Sequence, residues 1–204
     1  MHRTGQGGIV VDMEDDATII GRSARDPDRF AVIFDRHASH IHRYLARRLG
    51  RETADDLVAE TFLTAFRKRR QYDPQRPDAR PWLYGIATNL VGQHRRDEVR
   101  EYRLRQALAA DRGEDFPADR IDADVTARSL RRLLTGALAE LSPGDRDVLL
   151  LIAWEELTYE QVAAALAIPV GTVRSRLNRA RRKVRQALGE TDPSTTFEES
   201  LSNG

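Results

Sequence analysis

The sequence predicts an all-α protein: two small helical domains joined by a flexible acidic linker. Apolar residues recur at three- and four-residue spacing through most of the 204-residue chain, and no segment shows a convincing strand pattern. Proline- and glycine-containing segments interrupt this periodicity, and loops are expected there. These patterns divide the chain into five predicted segments: a flexible N-terminal arm at 1–25, a first domain at 26–100, a linker at 101–125, a second domain at 126–190 and a disordered tail at 191–204.

The composition excludes several classes of protein. The chain has no cysteine, so disulfides, thiolate zinc sites and cysteine nucleophiles are ruled out. The N-terminal residues lack the apolar core of a signal peptide, and no apolar run approaches the roughly 20 residues of a membrane span. We therefore expect a cytoplasmic protein with no membrane insertion, no metal and no other cofactor.

The first domain is predicted to contain three helices. Residues 26–49 carry an apolar stripe, and a second helix is expected to begin at Thr53, where Thr53 and Asp56 form a capping-box-like pair. The segment 72–81 contains three prolines and is predicted to be a loop. A third helix is expected at 82–96, with an apolar face turned inward.

The acidic linker precedes a second helical block. Residues 111–124 contain six acids and two bases, together with one glycine and one proline. A helix is predicted from Thr126 to Leu141. Ser142 and Pro143 then provide an N-cap and a proline at the first helical position, which predicts the start of another helix. Its predicted inner residues are Val148, Leu149, Ile152 and Ala153.

The stretch 158–185 predicts two short helices separated by a tight turn. Thr158 and Gln161 fit a capping box at the start of the first. The second carries seven arginines or lysines and no acid between Arg174 and Arg185. This is the layout of a helix-turn-helix motif whose second helix lies in the major groove of DNA.

The second helix is predicted to face the core with Val173, Leu177, Ala180, Val184 and Leu188, which recur at four- and three-residue spacing. Its opposite, polar face offers the side chains that read base edges. Arginine pairs bidentately with guanine and asparagine with adenine, whereas further basic residues contact phosphates. The alternative is a surface helix whose bases are merely solvated. The candidate DNA-reading residues are Thr172, Arg174, Ser175, Asn178, Arg179 and Arg182.

Three segments resemble a known family. The stretch "LSPGDRDVLLLIAWEELTYEQVAAALAIPVGTVRSRLNRARRKVR" resembles the C-terminal DNA-binding domain of bacterial sigma factors of the extracytoplasmic-function (ECF) group. The stretch "ADDLVAETFLTAFRKRRQYDP" resembles their segment that binds the polymerase clamp helices, and "RPWLYGIATNLVGQHRR" the segment that melts and reads the minus-ten element. The resemblance covers about residues 26–190.

The resemblance implies a promoter-specificity subunit that reads the minus-thirty-five element with its C-terminal domain. Its implied partners are core RNA polymerase, promoter DNA and an anti-sigma factor. The implied polymerase-binding residues are Asp56, Glu60, Leu63 and Lys68. Those for the single-stranded minus-ten element are Tyr72, Arg76, Arg80, Asn89, Gln93, Arg95 and Arg96, of which Asn89 matches the pocket for a flipped base.

Two other functions use some of the same features. A repressor or response-regulator output domain would bind duplex DNA without polymerase, and a non-DNA adaptor would direct no initiation. An enzyme is not expected, since the sequence contains no nucleophile elbow, phosphate-binding loop or two-histidine metal motif. His37 is predicted to face the core, with no ordered set of carboxylates around it.

Overall fold

The computed structural model describes residues 14–112 and 134–187, with side chains up to residue 106 in the first segment. All regular structure within these ranges is helical, as the sequence predicts. The chain forms two compact units that divide between Leu83 and Tyr84. The domain boundaries at 26–100 and 126–190 stay a prediction.

The first helix, α1 (Asp16–Ser23), lies inside the segment predicted to be a flexible arm. Asp15 caps it by accepting a hydrogen bond from the Thr18 backbone at 2.8 Å, and Ile19 and Ile20 are buried. The prediction of a flexible arm is therefore wrong for residues 16–23. Residues 1–13 lie outside the described part of the chain.

Two long helices form the core of the first unit. A 3₁₀ turn at Pro27–Phe30 leads into α2 (Ala31–Leu49), which packs against α3 (Arg51–Lys68). Gly50 joins them with φ of 89°, a left-handed conformation that glycine adopts without strain. Because α3 begins directly after this glycine and has no side-chain cap, the predicted start at Thr53 is wrong.

The loop between α3 and the next helix follows a 3₁₀ turn at Arg69–Gln71 and occupies residues 72–79. The next helix, α4 (Arg80–Arg112), extends well beyond its predicted end at residue 96. Residues 101–112, predicted to be linker, contain no glycine or proline and many strong helix formers, which explains the extension. Residues 113–125 of the predicted linker lie outside the described residues.

The second unit contains the helix-turn-helix. Residues 134–139 are helical, in agreement with part of the predicted helix at 126–141. Then come α5 (Pro143–Ala153), α6 (Tyr159–Leu166) and α7 (Val170–Ala187). The predicted cap at Ser142 and the predicted capping box at Thr158 are both confirmed.

The core of this unit lies between α5, α6 and α7. Val173, Leu177 and Ala180 are buried, which confirms the inner stripe predicted for α7 at these positions, whereas Val184 is half-buried. On α5 the buried residues are Val148, Leu150 and Leu151, whereas Leu149, Ile152 and Ala153, predicted to lie inside, are partly or fully exposed. The Tyr84 hydroxyl of α4 donates a hydrogen bond to buried Glu155, which ties α4 into the same unit.

Candidate nucleic-acid interface

The outer face of α7 presents the residues predicted to read DNA. Arg174, Ser175, Asn178 and Arg182 are exposed, on the side opposite the buried stripe. Thr172 is half-buried, and its carbonyl accepts a hydrogen bond from the Ser175 hydroxyl at 3.0 Å. Arg174 and Asn178 are one helical turn apart, so both can face one groove.

Arg179 differs from the other arginines of α7 because α5 holds it. Its Nη2 lies 3.0 Å from Oδ1 of Asp145, and its Nε 3.4 Å from Oδ2. Burial raises the pKa of the Asp145 carboxyl, but hydrogen bonds from Arg179 and Ser142 outweigh burial and lower it below its ordinary value. No local pattern indicates this pair, because its members are 34 residues apart.

The loop at 72–79 is organised around Tyr72. Its hydroxyl donates to the Arg76 carbonyl at 2.7 Å, and its ring centroid lies 4.9 Å from that of Trp82. Burial, followed by the negative charges of Asp16 and Asp78, raises the pKa of Tyr72. Tyr72 thus holds the loop together from inside.

Two arginines predicted to read DNA, Arg76 in the loop and Arg80 at the start of α4, have neighbouring carboxylates. Arg76 Nε lies 3.2 Å from Asp73, and Arg80 Nε lies 3.1 Å from Asp78. Arg76 is exposed and Arg80 half-buried. Both ion pairs are near solvent, so they oppose binding to a phosphate or base only weakly.

A polar stripe runs along α4. Asn89, Gln93 and Arg96 are exposed at helical spacing, and Arg100 and Arg103 continue the same line. Arg100 and Arg103 were not predicted to belong to this stripe, because the helix was expected to end at residue 96. Arg95 is half-buried and lies on a different side of the helix from Asn89.

The surface of α3 separates the four residues expected to bind polymerase. Asp56, Glu60 and Leu63 are exposed and follow one another at four- and three-residue spacing, with Leu63 47% exposed. Lys68 lies five residues after Leu63 and therefore on another side of the helix. The basic residue in line with the stripe is Arg67, which is also exposed.

His37 is buried, as predicted, but a carboxylate accompanies it. Its Nε2 lies 2.7 Å from Oδ2 of Asp16, a residue of α1 that also binds Arg36. This single carboxylate was not predicted, because α1 was not predicted. Within the described residues, no group of three metal-ligating side chains is close enough to hold an ion, and no helix there is long and apolar enough to cross a membrane.

These features define a DNA-binding protein with a helix-turn-helix, and comparison with known proteins specifies its family. Residues 33–101 match the family "Sigma-70 region 2", and residues 131–184 match "Sigma-70, region 4". RNA polymerase sigma factor CarQ of Myxococcus xanthus is 35% identical over 166 residues, which cover 81% of this chain and 92% of CarQ. ECF RNA polymerase sigma factor SigL of Mycobacterium tuberculosis is 31% identical over 175 residues, which cover 85% of this chain and 97% of SigL.

Solved structures agree with these matches. CnrH, in complex with the cytosolic domain of CnrY, has a TM-score of 0.58 and 26% identity, and the match covers 85% of this chain and 96% of CnrH. The sigma factor RpoE of Bartonella quintana, with a TM-score of 0.57 and 23% identity, shares the fold. The chain belongs to the ECF sigma factors of the sigma-70 family, and it directs RNA polymerase to promoters.

Proposed function

We propose that α7 reads the minus-thirty-five element as a duplex, and that the loop at 72–79 and the α4 stripe engage the minus-ten element as a single strand. The observation that carries the first assignment is the row of exposed side chains at the start of α7, Arg174, Ser175 and Asn178, above a buried apolar stripe. A helix fixed in this way presents its outer side chains to a groove without rearrangement.

The residues of α7 divide by their position along the helix. Arg174 and Asn178 lie in its first half and are assigned to base edges, where a good bidentate contact contributes about 1–3 kcal/mol of discrimination. Arg182 lies in the last part with Arg181, Lys183 and Arg185, and this basic end is assigned to phosphates. Arg179 is assigned two alternative partners, the Asp145 carboxylate and DNA. To contact a base, its guanidinium must release Asp145.

Asn89 is assigned to an unpaired base of the minus-ten element. Its exposed amide offers a donor and an acceptor, which together can pair with a base edge. Opening a promoter costs a few kcal/mol for each extruded base. Contacts that exist only with the unpaired base offset this cost, and the basic residues farther along α4 add attraction to the strand.

The stripe Asp56, Glu60 and Leu63 on α3 is assigned to core RNA polymerase. It combines two exposed carboxylates with an exposed leucine, a mixture suited to a protein surface with basic and apolar groups. Lys68 lies outside this stripe, so we assign it a peripheral part in docking.

We infer that the chain catalyses no reaction itself, acts in the cytoplasm with polymerase and DNA, and is inhibited by an anti-sigma factor. CnrH, which it resembles, was captured with the cytosolic domain of CnrY. Exposed Val99, Tyr102 and Leu104 near the end of α4 provide apolar surface that a protein partner can cover.

In vitro transcription tests this function. Core polymerase with the purified chain should initiate at discrete sites on genomic DNA, and core alone should not. The Asp56→Arg and Glu60→Arg double variant should fold normally but lose core binding and initiation, because its charges repel a basic partner. Duplex-specific binding without any initiation would instead identify a regulator that acts apart from polymerase.

A further inference from the structure

One buried carboxylate joins three parts of the first unit. Asp16, at the first position of α1, accepts hydrogen bonds from Arg36 at 2.9 Å and from the Ala79 backbone at 3.0 Å. The same carboxylate lies 2.7 Å from His37 Nε2. Ala79 is the last residue of the loop before α4, so Asp16 connects α1 and α2 with the end of that loop.

Backbone contacts tie the same short helix to both sides of the loop. The Asp16 N–H donates to the Pro77 carbonyl at 3.1 Å, beside the contact with Ala79. At the other side, Arg69 Nε donates to the Ser23 carbonyl at the last residue of α1. The segment 72–79 is therefore fixed to α1 before it begins and where it ends.

The chemistry of these contacts makes Asp16 hard to replace. It is only 6% exposed, and removing the carboxylate takes away the acceptor of the buried Ala79 N–H. Arg36 would keep its second acceptor, the Glu14 carbonyl at 2.8 Å. An irregular loop has many accessible conformations, and restricting its ends removes much of that freedom in advance. A preformed loop binds a strand without the ordering cost that a free loop incurs.

We propose that Asp16 is a positioning residue for promoter reading, which holds the loop at 72–79 in the conformation that receives the unpaired minus-ten strand. This rests on the proposed function of that loop. Asp16 lies before the segment 33–101 that matches the family.

The test uses full-length chain assembled with core polymerase. The probes are a promoter selected from random DNA by wild-type holoenzyme, and a single-stranded oligonucleotide that carries its minus-ten element. Asp16→Asn keeps the size of the side chain but removes its charge. We expect it to weaken oligonucleotide binding roughly tenfold or more while core affinity and binding to the duplex minus-thirty-five element remain at the wild-type level.

Asp15→Ala is the matched control. It removes the cap of the same helix, the hydrogen bond to Thr18, without touching the loop. It should bind the oligonucleotide as wild type does. An equal loss in Asp15→Ala and Asp16→Asn would overturn the proposal, since Asp16 would then act only by keeping α1 folded.

A spectroscopic signal reports loop position directly. The chain has two tryptophans, and Trp82 packs on Tyr72 of the loop. In a Trp154→Phe background, Asp16→Asn should make Trp82 easier to quench with acrylamide. If Asp16→Asn does not fold, Ala79→Pro removes the backbone donor to Asp16 at the loop end, at the residue directly before the first turn of α4. It should give the same loss of oligonucleotide binding.

The outcomes separate this proposal from the one on which it rests. If Arg76→Ala and Arg80→Ala weaken oligonucleotide binding but Asp16→Asn and Ala79→Pro do not, the loop reads DNA and Asp16 does not position it. If the two arginine variants also bind normally, the loop is not a reader, and both proposals fail.

Discussion

The loop at 72–79 and the helix α7 are both proposed to contact promoter DNA, yet they are held in different ways. The loop is tied at both ends to α1, and its end is fixed by the buried carboxylate of Asp16. On α7 most candidate reading side chains project into solvent. Among these side chains, Arg179 is held by Asp145 of α5, yet it is still 49% exposed.

This difference matches the form of DNA that each region is proposed to read. The major groove of a duplex is already formed, so a rigid helix need only present side chains to it. An unpaired strand has no fixed shape, and its bases must be unstacked and received in pockets. Buried polar contacts that define a loop in advance are therefore expected on the single-strand side and are less needed on α7.

The largest expected effect on stability comes from removing the two carboxylates, Asp16 beside the loop and Asp145 beside Arg179. Asp16→Ala should lower the free energy of unfolding of the first unit by about 3 kcal/mol, since a buried charge network is broken. Asp145→Ala should cost the second unit about 1 kcal/mol, because its partner is half in water. Urea unfolding followed by Trp82 for the first unit and Trp154 for the second measures both. Equal losses would contradict the contrast between the regions.

Acid should lower the free energy of unfolding of the first unit, which contains Asp16 and the loop, over a defined range of pH. Burial alone raises the pKa of Asp16, but hydrogen bonds from His37, Ala79 and Arg36 outweigh burial and lower it from 3.8 to about 2. A carboxylate with a lowered pKa in the folded state stabilises the fold above its unfolded pKa, and the stabilisation is lost as the pH falls towards the folded pKa. The loss amounts to about 2 kcal/mol between about pH 5 and about pH 2.

Asp16→Asn provides the control for this acid effect. Urea unfolding, monitored by Trp82, should depend less steeply on pH in the variant than in wild type below about pH 5. The charged and titratable groups facing Asp16 are Arg36, His37, Asp15 and Tyr72. If the free energy of unfolding of Asp16→Asn depends on pH as steeply as that of wild type, the acid sensitivity belongs to other carboxylates.

The smallest effect concerns the scaffold of the helix-turn-helix. Ala167 ends α6 in a left-handed conformation with φ of 52°, which strains any side chain. Ala167→Gly should raise the free energy of unfolding of the second unit by about 1 kcal/mol, measured by urea unfolding. Ala164→Gly, inside α6, should lower stability by a similar amount, about 1 kcal/mol. A destabilised Ala167→Gly would show that the turn is not strained.

Local signals in the sequence predicted the second unit well. The caps at Ser142 and Thr158 depend on residues within one helical turn, so their pattern is visible in the sequence. The helix α1 has such signals too, in the cap Asp15 and the buried pair Ile19 and Ile20. They were missed because the glycine-rich, polar composition of the whole segment 1–25 was averaged.

Contacts between residues that are far apart in the chain could not be predicted from the sequence. Asp16 and Ala79 are 63 positions apart, and Asp145 and Arg179 are 34 apart. Periodicity says which face of a helix is buried, but not which element covers it. The family resemblance indicated candidate reading surfaces but not the carboxylates that hold the loop and Arg179.

The central claim is that the two regions read different forms of DNA. Permanganate footprinting of unpaired thymines, on duplex promoter and on a template mismatched at the minus-ten element, tests it with Asn89→Ala and Arg174→Ala holoenzymes. We predict that Asn89→Ala fails to open the duplex and is largely rescued by the mismatch, because the cost of unpairing has been removed. Arg174→Ala should lose affinity on both templates with relaxed preference in the minus-thirty-five element, whereas Arg182→Ala should weaken all sequences alike. Normal opening of the duplex by Asn89→Ala, or rescue of Arg174→Ala by the mismatch, would contradict the account.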